Sequence, residues 1–310
     1  MNTPVKDKRI TSKTSHTALM AAIYRFLANK ELMPAFRGPD NMAYMFLPAK
    51  AKFFLSFSFF REYFKRKLDE KGPGSYAYVS ARTRFFDELF TQAVRKHIPQ
   101  IVFLGAGYDT RAIRFRKVLN GTEIFELDVP GTQNEKRKVL RKNRISIPEN
   151  LHFVPINFET DNLKQVLFRA GYDPRKESLF IWEGVSMYLG DKAVDQTLTL
   201  IKANSGPGST IAFDYLYKSV IRSECNYYGA KELSQIVKDA GEAFSFGIEE
   251  GQIEAFLAER GITLISQYTP SELEEEYLFD SEGRFFGRMY GFAGLVYAKL
   301  TLEVLPKNKI

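Results

Sequence analysis

From about residue 100, short apolar runs alternate with longer mixed stretches, and that alternation limits the available folds more than any other feature. The runs are 100–104 (QIVFL), 123–127 (EIFEL), 152–156 (HFVPI), 179–182 (LFIW) and 210–213 (TIAF). Between them lie 110–119, 132–142, 162–170 and 192–204, each compatible with a helix. Strands rich in Ile, Val and Phe separated by helical stretches predict an α/β chain with a parallel sheet and right-handed crossovers. After the fifth run the rhythm breaks. Residues 215–246 form a long Tyr-rich segment, and 249–260 read as a helix stopped by Gly261. Two further β-like runs follow, 262–268 and 292–300, with loop or a short helical turn between them. The prediction is a seven-stranded, mostly parallel, Rossmann-like sheet whose last two strands form an antiparallel edge, with an insertion after the fifth strand.

Residues 1–99 are expected to be an N-terminal helical cap, with amphipathic stretches at 16–27 and 83–94, lying on the sheet's C-terminal edge. Residues 100–310 are expected to be the core, carrying 215–246 as a lid, in one structural domain overall. At 310 residues the chain can bury a sizeable core without staples. Its one cysteine, Cys225, rules out a disulfide within the chain, and His16, His97 and His152 are too scattered to suggest a zinc site. The opening MNTPVKDKRITSKTS is polar and basic with no apolar core behind it, so export is not indicated and a cytoplasmic location is expected. Residues 53–60 (FFLSFSFF) are too few to cross a bilayer. They read as a buried helix face, with a membrane-surface or partner contact as the other reading.

Charge is unevenly spread. Residues 1–100 hold 18 Lys+Arg against 8 Asp+Glu, a net +10, which leaves −3 for the rest of a chain whose total is +7. Such a field suits an acidic acceptor, an acidic carrier protein or RNA, with a plain solvated surface as the other reading, and predicts an electropositive pocket wall. No Lys/Arg run is dense enough to predict a nucleic-acid partner, no membrane partner is expected, and an oligomer is compatible with the pattern.

The strongest local signal is Gly105-Ala106-Gly107 directly after QIVFL. Glycines there permit a tight turn and close approach of a ligand to the main chain. Twenty-one positions after Gly107, in FELDVP, Asp128 can accept hydrogen bonds from a ribose hydroxyl pair. It is read as functional rather than structural and is preferred to Glu126, which is expected to face away. A dehydrogenase fingerprint would carry a third glycine where Thr110 stands, and Asp109 beside a pyrophosphate would be repelled. Beside the ammonium of a methionine moiety Asp109 is favourable, so the comparison favours S-adenosylmethionine over a nicotinamide dinucleotide.

Four ordered motifs, ARTRFFDELF, IVFLGAGYDTRAIRF, FELDVP and IWEGVSMYL, resemble the leucine carboxyl methyltransferase family, and within it the bacterial branch of S-adenosylmethionine-dependent methyltransferases. The resemblance covers roughly residues 15–300 and implies the class I methyltransferase fold, with S-adenosyl-L-methionine as co-substrate and no metal. It further implies that Arg82 pairs with the donor's carboxylate and that Gly105 and Asp128 hold the donor. Asn157-Phe158, where the family usually has Asp-Leu, would meet the adenine, Asn157 through its amide oxygen. Glu183 would leave the fourth strand over the crevice. The family's N-terminal lysine that reaches the donor has no counterpart near Ala21. The residues read alone agree for Arg82, whose guanidinium matches a carboxylate, and for Glu183, which would be costly at a sheet edge without a ligand or cation. Trp182 reads as core; Tyr188 suits the acceptor pocket or packing equally.

No catalytic residue is assigned. Methyl transfer from a sulfonium is an in-line displacement that positioning can accelerate, and a carboxylate acceptor is already ionised near pH 7. The leading expectation is O-methylation of a small or carrier-linked acidic acceptor. The second is methylation of a phenol or enol in natural-product biosynthesis, which would need a base. More remote are a nicotinamide-dependent oxidoreductase and a non-catalytic binding protein.

Overall fold

A computed structural model describes residues 16–119 and 121–300. Seven strands form one sheet: β1 (Gln100–Leu104), β2 (Glu123–Asp128), β3 (Leu151–Pro155), β4 (Ser178–Trp182), β5 (Thr210–Leu216), β6 (Ile262–Tyr268) and β7 (Ala293–Leu300). Their order is β3-β2-β1-β4-β5-β7-β6. β1 to β5 run parallel, and β7 lies antiparallel between β5 and β6. Every residue of β1 and β4 is buried, as expected for strands covered on both faces.

Among the described residues four α-helices precede the sheet: α1 (His16–Asn29), α2 (Ala49–Leu55), α3 (Ser58–Lys71) and α4 (Ser75–Arg95). α4 shows why its sequence is helical. Ala77/Tyr78, Ala81/Arg82, Phe85/Phe86, Phe90 and Ala93 recur every three or four residues and are all buried. Arg82 sits on that apolar stripe, so the fold takes its guanidinium inside.

The crossovers are α5 (Arg111–Arg114), α6 (Pro130–Lys142), α7 (Leu163–Arg169) and α8 (Asp191–Ala203). α5 is one turn rather than the longer helix expected over 110–119. β5 continues through Tyr215 and Leu216, both buried, so the segment that follows begins at Tyr217. That segment carries α9 (Lys218–Ile221) and α10 (Ala230–Asp239); α11 (Ile253–Ala258) then leads into β6, and α12 (Pro270–Tyr277) into β7. A capping box at Thr269 and Glu272 starts α12, an eight-residue helix where only loop or a short turn was expected.

One expectation fails clearly. The 53–60 run is not a buried helix face. Only Leu55 is buried, while Phe53, Phe54, Phe57, Phe59 and Phe60 stand exposed. A run of consecutive apolar residues lacks helical periodicity, and the chain breaks between α2 and α3 at Ser56–Phe57, so one position meets the core and the rest do not.

Candidate functional site

Register brings the carboxyl ends of β1, β2 and β4 level: Leu104 pairs with Leu127, and Phe103 with Ile181. Strand order reverses between β1 and β4, and ligands in open parallel sheets bind at such a switch point. The 105–109 loop hangs from β2, because the amides of Gly105 and Ala106 both donate to the Leu127 carbonyl, at 2.9 and 2.8 Å. Gly105 has φ +77°, and a Cβ there would lie 2.5 Å from Val185 Cγ2. Gly105→Ala should therefore cost about 2–4 kcal/mol through backbone strain plus overlap. Urea denaturation of that variant and of Gly105→Ala/Val185→Ala checks this: the second change should recover the overlap and leave the backbone part.

Gly107 has φ +50°, and a Cβ there would meet only Ala18 of α1, at 3.4 Å. Its amide donates to Asp128 Oδ2 at 2.6 Å, and the Val129 amide donates to Asp128 Oδ1 at 2.7 Å. Asp128 therefore holds the loop as well as facing the crevice, and the purely functional reading is corrected. Burial pushes its carboxyl above the usual range, although the two amides oppose the shift. Two backbone amides fill only part of a carboxylate's acceptor capacity. Glu126, two residues earlier on β2, shares the face of Asp128, because strand side chains alternate with period two. It does not turn away as expected. It is sealed in the interior against Lys136 Nζ at 2.5 Å, and burial pushes its carboxyl up to about 7.

Asp109 is engaged inside the protein. It accepts from the Arg111 amide at 2.7 Å and from the Arg111 guanidinium. Burial, the largest single influence, would raise its carboxyl, but Arg111, Lys136 and Arg25 together outweigh it and hold the group below the usual range. Arg111, 1% exposed, also donates to Asp87 at 2.7 Å and to Glu183 at 2.8 Å. Arg114 forks onto Asp87 at 2.7 and 2.8 Å. Arg82 donates to Glu183 at 3.2 Å and to Asp214, which is fully buried, at 2.9 Å. Burial works against the Arg82 charge, yet Asp214 and Glu183 keep it firmly protonated. The two arginines thus meet on Glu183, and neither of Arg82's contacts uses its Nη2. Tyr78 donates to Asp214 at 2.9 Å and stacks against Tyr290 at 4.3 Å.

Sequence reasoning missed Arg111, Asp87, Asp214, Tyr78 and Tyr290. Only the adjacency of Asp109 and Arg111 in GYDTR hinted at any of these contacts. The cluster also corrects the charge expectation. Arg25, Arg82, Arg111 and Arg114 face Asp40, Asp87, Asp109, Glu183 and Asp214, so this wall is not electropositive.

Asn157 Oδ1 accepts from the Glu159 amide at 3.0 Å, capping its own turn with one lone pair left. Phe158 packs half-buried on the core. Trp182 is fully buried, as expected of a core residue. Tyr188, after β4, lies 5.5 Å from the Phe244 ring, and its hydroxyl engages Thr17 of α1. The Ser245 and Phe246 amides donate to Met187 O, at 2.8 and 3.2 Å. α1 reaches the 105–109 loop through Arg25, which donates to the Tyr108 carbonyl at 2.6 Å, while Phe46 stacks on Tyr108 at 4.6 Å. His152 meets Glu123 at 2.6 Å near the start of β3, at the opposite end of the strands from this crevice. Among the described residues no cluster of three or more His, Cys, Asp or Glu could hold a metal ion, and no helix is long and apolar enough to cross a membrane.

Several known proteins are similar to this chain. A curated relative from Mycobacterium sp. (strain JLS), named "Putative S-adenosyl-L-methionine-dependent methyltransferase", is 32% identical over 192 residues, covering 59% of this chain and 61% of that protein. One of the same description from Bacillus subtilis (strain 168) is 26% identical, covering 63% and 64%. The match thus spans less than two thirds of those relatives' length. Among solved structures, a DUF574 family protein from Streptomyces avermitilis superposes with a TM-score of 0.57 at 12% identity, covering 94% of this chain and 99% of that one. A structure described as a "putative methyltransferase" from Thermobifida fusca YX gives 0.56 at 15% identity, covering 96% and 98%. At such identities these two speak for the fold alone, which is the class I methyltransferase fold expected from the sequence. The family profile described as leucine carboxyl methyltransferase matches residues 18–202, and those residues contain the 105–109 loop, Asp128, Arg82 and Glu183; the chain belongs to the leucine carboxyl methyltransferase family.

Proposed function

We propose that the chain is an S-adenosylmethionine-dependent methyltransferase that methylates an oxygen of an acidic acceptor, foremost a carboxylate, small or carrier-linked. The observation that carries the donor half is Asp128, a desolvated carboxylate beside the open Gly107 main chain, bonded to two amides and retaining acceptor capacity. Three strand spacings separate β3 from β4, about 14 Å, which suits an extended adenosyl-methionine. In this reading Asn157 and Phe158 meet the adenine, Asp128 the ribose, and Gly105, Ala106 and Gly107 the linking atoms. Arg82 offers its Nη2 to the donor's carboxylate. Asp109 acts through Arg111, which orients Glu183 beside Arg82.

When bound, the donor supplies an electrophilic methyl on a sulfonium. The chain's own groups then have to align the acceptor and exclude water. Burial pushes the hydroxyls of Tyr78, Tyr188 and Tyr290 well above their usual range, which makes them poor bases near pH 7. An acceptor that ionises unaided therefore fits better than a phenol or enol. Such a displacement calls for no metal.

α1 and the segment after β5 act as a lid, with Tyr188 touching both through Thr17 and Phe244. Hydrogen exchange in both should slow when S-adenosylhomocysteine and an acceptor bind; unchanged protection would remove the lid.

Calorimetry is expected to detect S-adenosylmethionine and S-adenosylhomocysteine but neither NAD nor NADP, and nicotinamide binding alone would overturn the reading. Asp128→Asn, which keeps an acceptor oxygen for only one of the two amides, should weaken donor binding by about 1.5–3 kcal/mol, roughly ten- to 150-fold. Asp128→Ala should also lower the melting temperature without ligand, because both amides lose their partner.

A further inference from the structure

The five exposed phenylalanines between α2 and α3 form one continuous ridge. Phe53 meets Phe54 and Phe57 at 5.5 and 5.7 Å, Phe60 meets Phe54 and Phe57 at 5.4 and 6.2 Å, and Phe59 meets Phe60 at 5.7 Å. Phe59 is 74% exposed and Phe53 63%, too much apolar surface in contact with water to be scattered noise. The ridge is held from behind. Leu55 is buried, and Phe64 and Leu68 pack against the cluster built by α1. Arg61 ties the break between the helices by donating to the carbonyls of Leu55 and Ser56, at 3.1 and 2.9 Å.

Around the ridge the charge is one-sided. Ala49–Lys71 carries seven Lys+Arg against three Asp+Glu, a net +4, with Lys65 paired to Glu31 and Glu62, and Arg66 and Lys67 to Glu70. Lys142 of α6 stands near Lys52; burial and then that neighbour depress the Lys52 amine, which extends the positive field past the hairpin. Aromatic apolar surface rimmed by lysine and arginine on short helices is the pattern of a segment that lies in a membrane interface.

We propose that the α2–α3 hairpin docks this protein on an anionic lipid bilayer, with the phenylalanines entering the headgroup boundary and the lysines and arginines facing lipid phosphates. Charge selects this occupant over the others. A second copy would bring +4 against +4. Residues 1–15, with Lys6, Lys8, Arg9 and Lys13 against Asp7, carry the same sign and cannot complement the face. An acidic carrier protein would satisfy the cations but would leave five clustered rings to bury, whereas a bilayer satisfies both. The 3-10 turn Ala43–Phe46 stands between α1 and α2, and its Phe46 stacks on Tyr108 of the donor loop. Docking would thus set the crevice near the lipid surface, where an amphiphilic acid collects.

The test is co-sedimentation of the full chain with phosphatidylcholine vesicles, with and without about one third phosphatidylglycerol. Binding should need the anionic lipid and should fall as salt screens the charges. Phe57→Ser/Phe59→Ser should weaken it by about tenfold or more, and Lys50→Gln/Lys71→Gln should weaken it on anionic vesicles alone. Both variants should keep the wild-type melting temperature and S-adenosylhomocysteine affinity, which separates failure here from failure of the donor site. Equal binding to both vesicle types, no binding to either, or no effect of the serine pair overturns the proposal. So does a dimer, formed without vesicles, that the serine pair dissolves.

Discussion

Arg111→Met should destabilise the protein by about 3–5 kcal/mol, a large share of the roughly 5–15 kcal/mol that holds a typical fold. The guanidinium is the shared cation of Asp87, Asp109 and Glu183. Without it, three desolvated carboxylates lose a counter-charge at once. The deficit should depend on pH. Asp109 is depressed in the folded protein, so its ionised form contributes stability above its ordinary pKa, and that contribution is lost as pH falls through the depressed value. The variant has no such contribution to lose and its carboxylates are free to take up protons, so its deficit should shrink on acidification. Arg111→Lys should recover only part of the loss, because one ammonium cannot reach three acids with the geometry of a planar fork. Urea unfolding at about pH 3 and pH 8, which bracket the ordinary Asp range, checks this, and a loss below about 1 kcal/mol at pH 8 would mean the cluster is not stabilised as described.

Lys136→Met should also cost about 3–5 kcal/mol, while Glu126→Leu/Lys136→Met should come within about 1 kcal/mol of the wild type or exceed it. The pair is sealed, each side chain 1% exposed, so removing one partner strands the other. Burial pushes Glu126 up to about 7, and Lys136 keeps it from going further. A folded-state pKa above the ordinary value near 4.3 means the native protein holds that proton more tightly than the unfolded chain. Its contribution is complete below about pH 4 and is lost as pH rises through about 7. With Lys136 gone the carboxyl rises again and the loss extends to higher pH, so the Lys136→Met deficit should grow between pH 5 and pH 8. Thermal melts of both variants at those two pH values decide it; a deficit that ignores pH would point away from Glu126.

The strands were legible because β1, β2, β4 and β5 are largely buried on both sides and read as plain apolar runs, and the half-buried edge strand β3 still carries enough apolar residues to read as one. Gly105 and Asp128 were legible as types in order, one at a tight turn after a strand and one at the end of the next. What stayed hidden was pairing. Nothing in one dimension says that Asp87 on α4 meets Arg111 and Arg114, or that Asp214 of β5 reaches Arg82 and Tyr78. Those contacts join elements separated by whole crossovers, and they leave the arginines matched by acids where charge counting predicted a positive wall. The 53–60 run misled for another reason. Hydrophobicity was read as burial, although an apolar run without period cannot present all its members to one core.

The place of β7 bears on how the protein is made. Its strand neighbours, β5 and β6, are both synthesised before it, yet neither pairs with the other. Until the last described strand emerges from the ribosome, β5 keeps an open apolar edge and β6 has no sheet to join. The nascent chain must therefore carry an unfinished, sticky flank from the completion of β5 at Leu216 until β7 has been made, a state prone to pairing with other chains. Closure requires β7 to slide into a slot between two waiting strands, so one late event completes two ladders at once. A chain cut short by stalling between β6 and β7 would not be a slightly smaller protein but an exposed template for aggregation, and quality-control chaperones would be expected to hold on to it.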